Sequence, residues 1–118
     1  MKSSKENILE AVCLHFNFSQ NLVISLNRRA DLVKARQFYF YLCRELTRET
    51  LSSMSNYIGR NHATAIHAIR QLEDLMSIYP EIKKEIKAVK TLLVEINPLI
   101  VSHIDLLQLT INHTKSFV

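Results

Sequence analysis

The 118-residue chain has one glycine, two prolines, two cysteines and no tryptophan. An all-β chain needs turn-forming residues roughly every 8–12 positions, and so few glycines and prolines do not suffice. The expected fold class is therefore all-α. A single glycine also excludes a GxxxxGK[ST] phosphate loop and a GxGxxG fingerprint, so no nucleotide is expected by those routes. No apolar run follows the Met-Lys-Ser-Ser start, and no signal peptide is expected. The most apolar stretch, "INPLIVSHIDLLQLTI", is broken by Asn97, Pro98, His103 and Asp105, short of the roughly 18 residues of a membrane span. Cys13 and Cys43 lack CxxC or Cys/His spacing; they read as buried free thiols in a reducing cytoplasm, with a disulfide as the alternative.

Catalytic constellations are also missing. His62 and His67 stand five apart, off the shared helix face that an i,i+4 metal pair needs, and no metal or other cofactor is expected. Glu45 and Glu49 are an i,i+4 carboxylate pair without a partner base, and Ser52, Ser53 and Ser55 lack a GxSxG context. The chain is not expected to be an enzyme.

What is present is a localised positive charge. The formal net charge is +4, yet residues 28–70 alone hold Arg28, Arg29, Lys34, Arg36, Arg44, Arg48, Arg60 and Arg70 against Asp31, Glu45 and Glu49. That segment is +5, leaving −1 for the remainder. Such asymmetry points to a polyanionic partner. With nearly half its residues apolar, the chain is also long enough for one domain with one core.

Periodicity places the elements. Ser4 reads as the cap of a first helix in which Ile8, Val12 and Phe16 repeat at helical spacing. Asn17 and Ser19 read as stop and restart signals before a short helix near residues 20–25. "ADLVKARQFYFYLCRELT" predicts a central buried helix with Leu32, Ala35, Phe38 or Tyr39, Leu42, Cys43 and Leu46 inward. A brief helical pattern through Leu51, Met54, Tyr57 and Ile58 ends at Gly59, and Asn61 can cap a longer helix with Ala65, Ile66, Ile69, Leu72 and Met76 on its core side. His67 reads as interior. A short helix, a tight glycine turn and a longer helix together are a helix-turn-helix signal. Pro80 opens another helix, with Ile82, Ile86, Val89 and Leu93 along one stripe and Lys83, Lys87 and Lys90 beside it. Asn97-Pro98 precedes a final helical pattern, an expected packing or oligomerisation segment.

In this order and spacing, "LVKARQFYFYLCRELT" and "TLSSMSNYIGRNHATAIHAIRQLEDL" resemble the C-terminal DNA-binding domain (domain IV) of the bacterial replication initiator DnaA. That family shows an ARQ-x-x-x-YL-x-REL-T helix, a short LPEIG helix and a signature close to GGRDHTTVLHA. The upstream "ILEAVCLHFNFS" also matches, so the likeness covers roughly residues 6–95. It implies a compact, Trp-repressor-like helix-turn-helix domain over residues 1–96, with residues 97–118 as an additional C-terminal helix. The family's initiators carry an upstream AAA+ ATPase for which 118 residues leave no room. The expectation is box-type binding of double-stranded DNA without ATP-driven assembly, in replication initiation or its regulation, on the bacterial nucleoid in the cytoplasm.

The resemblance implies roles residue by residue. Asn61, His62, Ala63 and Thr64 fall where the family reads base edges in the major groove, and Arg28 where a basic arm enters the minor groove. Arg29, Lys34, Arg36, Leu51, Ser52 and Arg60 fall near phosphate-contacting positions. Asn61 stands for an aspartate, Ala63 for a threonine and Ser52 for a proline, while Gly59 alone replaces the glycine pair and shortens the turn by one residue. The bottom-up chemistry converges on the same site. A helix start offers free N–H groups and a positive dipole end, asparagine can donate as well as accept, and alanine or a threonine methyl can pack on thymine. Arg36→Ala should on this view weaken all DNA alike and flatten the salt dependence. Two alternatives stay open: a helical interaction module that has lost DNA reading, using residues 98–118 to meet a second copy or a protein partner, and a non-specific nucleoid-type binder.

Overall fold

Capping chemistry sets the helix boundaries. The computed structural model describes residues 3–98, which form α1 (Ser4–Phe16), α2 (Gln20–Ile24), α3 (Ala30–Leu46), α4 (Leu51–Tyr57), α5 (His62–Ile78) and α6 (Pro80–Ile96). No strand occurs among the described residues, in accord with the shortage of turn-formers. Ser3 caps α1, one residue before the expected Ser4, by accepting from the Glu6 N–H. Asn17, left-handed at φ 59°, ends that helix, and Ser19 caps α2. Thr50 and Asn61 cap α4 and α5 through side-chain oxygens that accept from the N–H groups of Ser53 and Thr64. Pro80 sits in the first turn of α6, where its missing N–H costs nothing.

α3 is the hub, with its most extensive packing against α5 and α1, while α1 also packs along α6. Leu32, Phe38, Tyr39, Phe40 and Leu42 are fully buried on α3, joined by Ile8, Leu9 and Val12 of α1, Met54 of α4, Ile69 and Leu72 of α5, and Leu93 of α6. Each such large side chain removed from water contributes about 1.5–3 kcal/mol, the main favourable contribution to folding. The Tyr39 hydroxyl donates to the Met54 carbonyl at 2.7 Å, fixing α4 against α3. Cys13 and Cys43 are both buried free thiols, pushed up to about 11 and about 12 respectively, chiefly by burial. The disulfide alternative is thereby set aside.

The inward face of α5 differs from the sequence pattern in two respects. Ala68 is buried beside Ala65, Ile69 and Leu72, whereas Ile66 and Met76 are half-buried. His67, expected inside, is exposed. On α6, Ile82, Ile86, Val89 and Leu93 are buried as the stripe predicts, with Lys83 and Lys87 exposed and Lys90 paired to Glu45 at 2.6 Å. The expected C-terminal helix after Pro98 lies outside the described residues, as does any role for it in oligomerisation. No helix among the described residues is long and apolar enough to cross a membrane.

Candidate nucleic-acid interface

The turn between α4 and α5 is a Schellman motif. Gly59 adopts φ 70°, its N–H donates to the Asn56 carbonyl at 3.1 Å, and the Arg60 N–H donates to the Ser55 carbonyl at 2.9 Å. One glycine in the left-handed region thus suffices to end α4 and aim the start of α5 outward. Asn61, His62, Ala63 and Thr64 are all exposed there.

Asn61 is more constrained than a surface asparagine. Its Oδ1 accepts from the Thr64 N–H at 2.9 Å and from the Thr64 hydroxyl at 3.0 Å, which occupies both lone pairs. Its amide N–H groups remain to donate outward. A bidentate adenine contact needs the oxygen as an acceptor as well. In this arrangement Asn61 instead matches an acceptor such as guanine O6 or N7, thymine O4 or phosphate.

The basic arm lies between α2 and α3. Ser25 Oγ accepts from the Asn27 N–H at 3.3 Å, and Asn27 Oδ1 accepts from the Arg29 N–H at 2.9 Å, two successive side-chain-closed turns. Arg29 forms a forked contact with Asp31, both bonds at 3.1 Å, which raises the guanidinium and lowers the carboxyl. Arg28 is exposed and has no hydrogen-bond or ion-pair partner among the described residues. Arg28, Arg60, Thr64, His67 and Gln71 line one groove of about 420 Å³ between the arm, α3 and α5, with Arg36 at its base. The arm and the start of α5 therefore share a surface.

The other expected contacts are more varied. Arg36 is only 8% exposed; its Nε donates to the Val23 carbonyl at 2.7 Å and its Nη2 to the Ser25 carbonyl at 2.8 Å. Burial, then the nearby Arg60 cation, push its guanidinium below the usual arginine range. Arg60 reaches back across the groove: Nη1 donates to the carbonyls of Ile24 and Ile58, both at 2.8 Å, and Nη2 to Ser25 at 2.6 Å. Lys34 is held by Glu85 at 2.6 Å, close to the rings of Phe16 and Phe38. Leu51, half-buried, and Ser52, exposed, form the first turn of α4. His67, which the sequence pattern placed inside, is exposed and lines the candidate groove. It follows Ala63 and Thr64 by about one turn. No group of three or more His, Cys, Asp or Glu among the described residues is placed to hold a metal ion.

A short capped helix, a glycine turn and a longer helix with a polar, exposed start define a helix-turn-helix protein. Residues 5–72 match the family described as bacterial dnaA protein helix-turn-helix. The chain belongs to that family. It is 36% identical over 91 residues to the chromosomal replication initiator protein DnaA of Bartonella quintana, covering 76% of this chain and 18% of that protein. The corresponding protein of Agrobacterium fabrum is 34% identical over 93 residues, 78% of this chain and 19% of the relative. That of Bacteroides thetaiotaomicron is 28% identical over 89 residues, with 75% and 19% covered. The chain thus spans about a fifth of the length of the curated relatives it matches.

Proposed function

We propose that the domain binds double-stranded DNA sequence-specifically, as a box-recognition module acting in replication initiation or its regulation on the bacterial nucleoid. The observation that carries this reading is the groove that Arg28, without a partner among the described residues, shares with Thr64 at the start of α5. In this arrangement α5 enters the major groove through Asn61, His62, Ala63 and Thr64, and Arg28 enters the neighbouring minor groove. Arg29, Lys34, Leu51 and Ser52 approach phosphates, Lys34 after release from Glu85. Arg36 and Arg60 serve differently, because their guanidinium groups are bonded to backbone carbonyls. The function is one of binding and invokes no chemical step, nucleotide or metal.

Fluorescence-anisotropy titration of a duplex with an initiator-type box against a scrambled duplex, at two salt concentrations, tests the reading. Box binding tighter by about 10³-fold is the expected result. Equal affinity for both duplexes, with a steep salt dependence, would reduce the domain to a non-specific basic binder.

A further inference from the structure

Two arginines of the basic segment point at the protein rather than away from it. α2 is five residues long and ends at Ile24, so the carbonyls of Val23, Ile24 and Ser25 have no following helical turn to bond. Arg36, from α3, takes the first and third of these; Arg60, from the turn before α5, takes the second and third. Arg60 also takes the Ile58 carbonyl at the end of α4. The Ser25 oxygen accepts from both cations, at 2.8 and 2.6 Å. Two guanidinium groups this close repel each other, and the C-terminal ends of two helices supply the partial negative charge that offsets it. Neither arginine has a carboxylate partner among the described residues, so only helix-end carbonyls offset their charges beside the groove.

The consequence lies in what hangs from Ser25. Its hydroxyl receives the Asn27 N–H, Asn27 receives the Arg29 N–H, and Arg28 sits between them. Arg60 is next to Asn61, which caps α5. A span of 35 residues in sequence is thereby closed by one side chain joining the root of the arm to the root of the recognition helix. We propose that Arg36 and Arg60 are positioning residues that clamp the Asn27–Arg29 arm to the start of α5, so that arm and helix engage DNA as one rigid unit. This deepens the DNA-binding reading and rests on it. It differs from a phosphate-contact role in what each substitution does to salt dependence and to Arg28.

The test uses the full chain and the variants Arg36→Gln, Arg60→Gln, Arg60→Lys and Arg28→Ala, each checked for helicity by circular dichroism. Arg60→Gln, at a half-buried site, carries the test if Arg36→Gln does not fold. The clamp predicts that either glutamine variant loses about tenfold on the box duplex, within the range of coupled neighbours. The scrambled duplex is barely affected and the salt slope is kept. Lysine, which cannot fork across two carbonyls, fails to rescue. In the Arg28→Ala background the same change costs little more. A phosphate contact gives the opposite set: equal loss on both duplexes, a slope lowered by about 0.9, rescue by lysine and additivity with Arg28→Ala. That set overturns the clamp. Hydrogen exchange on the DNA-free protein separates this from failure of the DNA reading itself. Arg60→Gln should speed exchange of the Asn27 and Arg29 amides, the two that the arm's turns bond, even if the wild type proves unable to tell box from scrambled DNA; unchanged exchange overturns the clamp on its own.

Discussion

At residue 61 one side chain divides its work: the amide oxygen caps the helix and the amide nitrogen is left to donate outward. Because Thr64 occupies both lone pairs of Asn61 Oδ1, cap and donor face are separable by mutation. Asn61→Asp keeps the cap and should leave the melting temperature nearly unchanged, while base preference shifts towards cytosine, whose N4 donates to a carboxylate. Asn61→Ala should lower stability by about 1 kcal/mol, or roughly 4–8 °C in a domain of this size, in a thermal melt. An unchanged base preference in Asn61→Asp would remove Asn61 from the reading set. This cap was legible in the sequence because capping is decided within three residues. Arg36 was not, since its two acceptors lie 13 and 11 residues upstream at the end of a short helix. His67 could have been placed correctly. At about 100° per residue it stands about 200° from Ile69, opposite the buried face, a relation that its neighbour Ile66 obscures.

Among the elements, α4 depends on its two ends. Tyr39→Phe deletes the bond to the Met54 carbonyl and should cost about 0.5–1.5 kcal/mol in chemical denaturation. Gly59→Ala meets no steric neighbour, yet φ 70° penalises any side chain, and a loss of about 1–2 kcal/mol is expected. A melt unchanged by Gly59→Ala would mean that the turn readily adopts another conformation. Glu49 joins the start of α4 to α1 through Ser53 and Lys5, contacts that lower its carboxyl below the usual range, the Ser53 bond foremost. Its contribution is complete above the ordinary carboxylate pKa and is lost as pH falls through the lowered one. Ser53→Ala should move the Glu49 titration upward by NMR. The order of helices, the glycine turn and the core stripes were readable because periodicity and capping are local. The inward turn of Ala68 was not, because packing against α3 decides it.

Across the whole molecule, the positive field is shaped by which cations are neutralised. Arg29, Lys34 and Arg44 face Asp31, Glu85 and Glu73, whereas Arg36 and Arg60 bond uncharged carbonyls and have no carboxylate partner among the described residues. Glu85 also reaches His15 at 3.5 Å, so one carboxylate of α6 restrains groups on α1 and α3. Glu85→Gln should release Lys34, raise affinity for scrambled DNA by several-fold and steepen the salt slope by up to about 0.9. No change in either would show that Lys34 stays seated on the Phe16 and Phe38 rings without its ion pair. Sequence charge counting located the basic segment, but pairing across helices is a property of the fold.

The two thiols give the domain a chemical clock. Cys43 is wholly enclosed and Cys13 nearly so, and burial holds both as thiols rather than thiolates. A maleimide can reach Cys43 only when the domain opens, so the labelling rate counts openings. A bound duplex lowers the open population by the factor 1 + [L]/Kd, and labelling slows in proportion. The wild-type sequence can therefore report its own affinity for any unlabelled DNA.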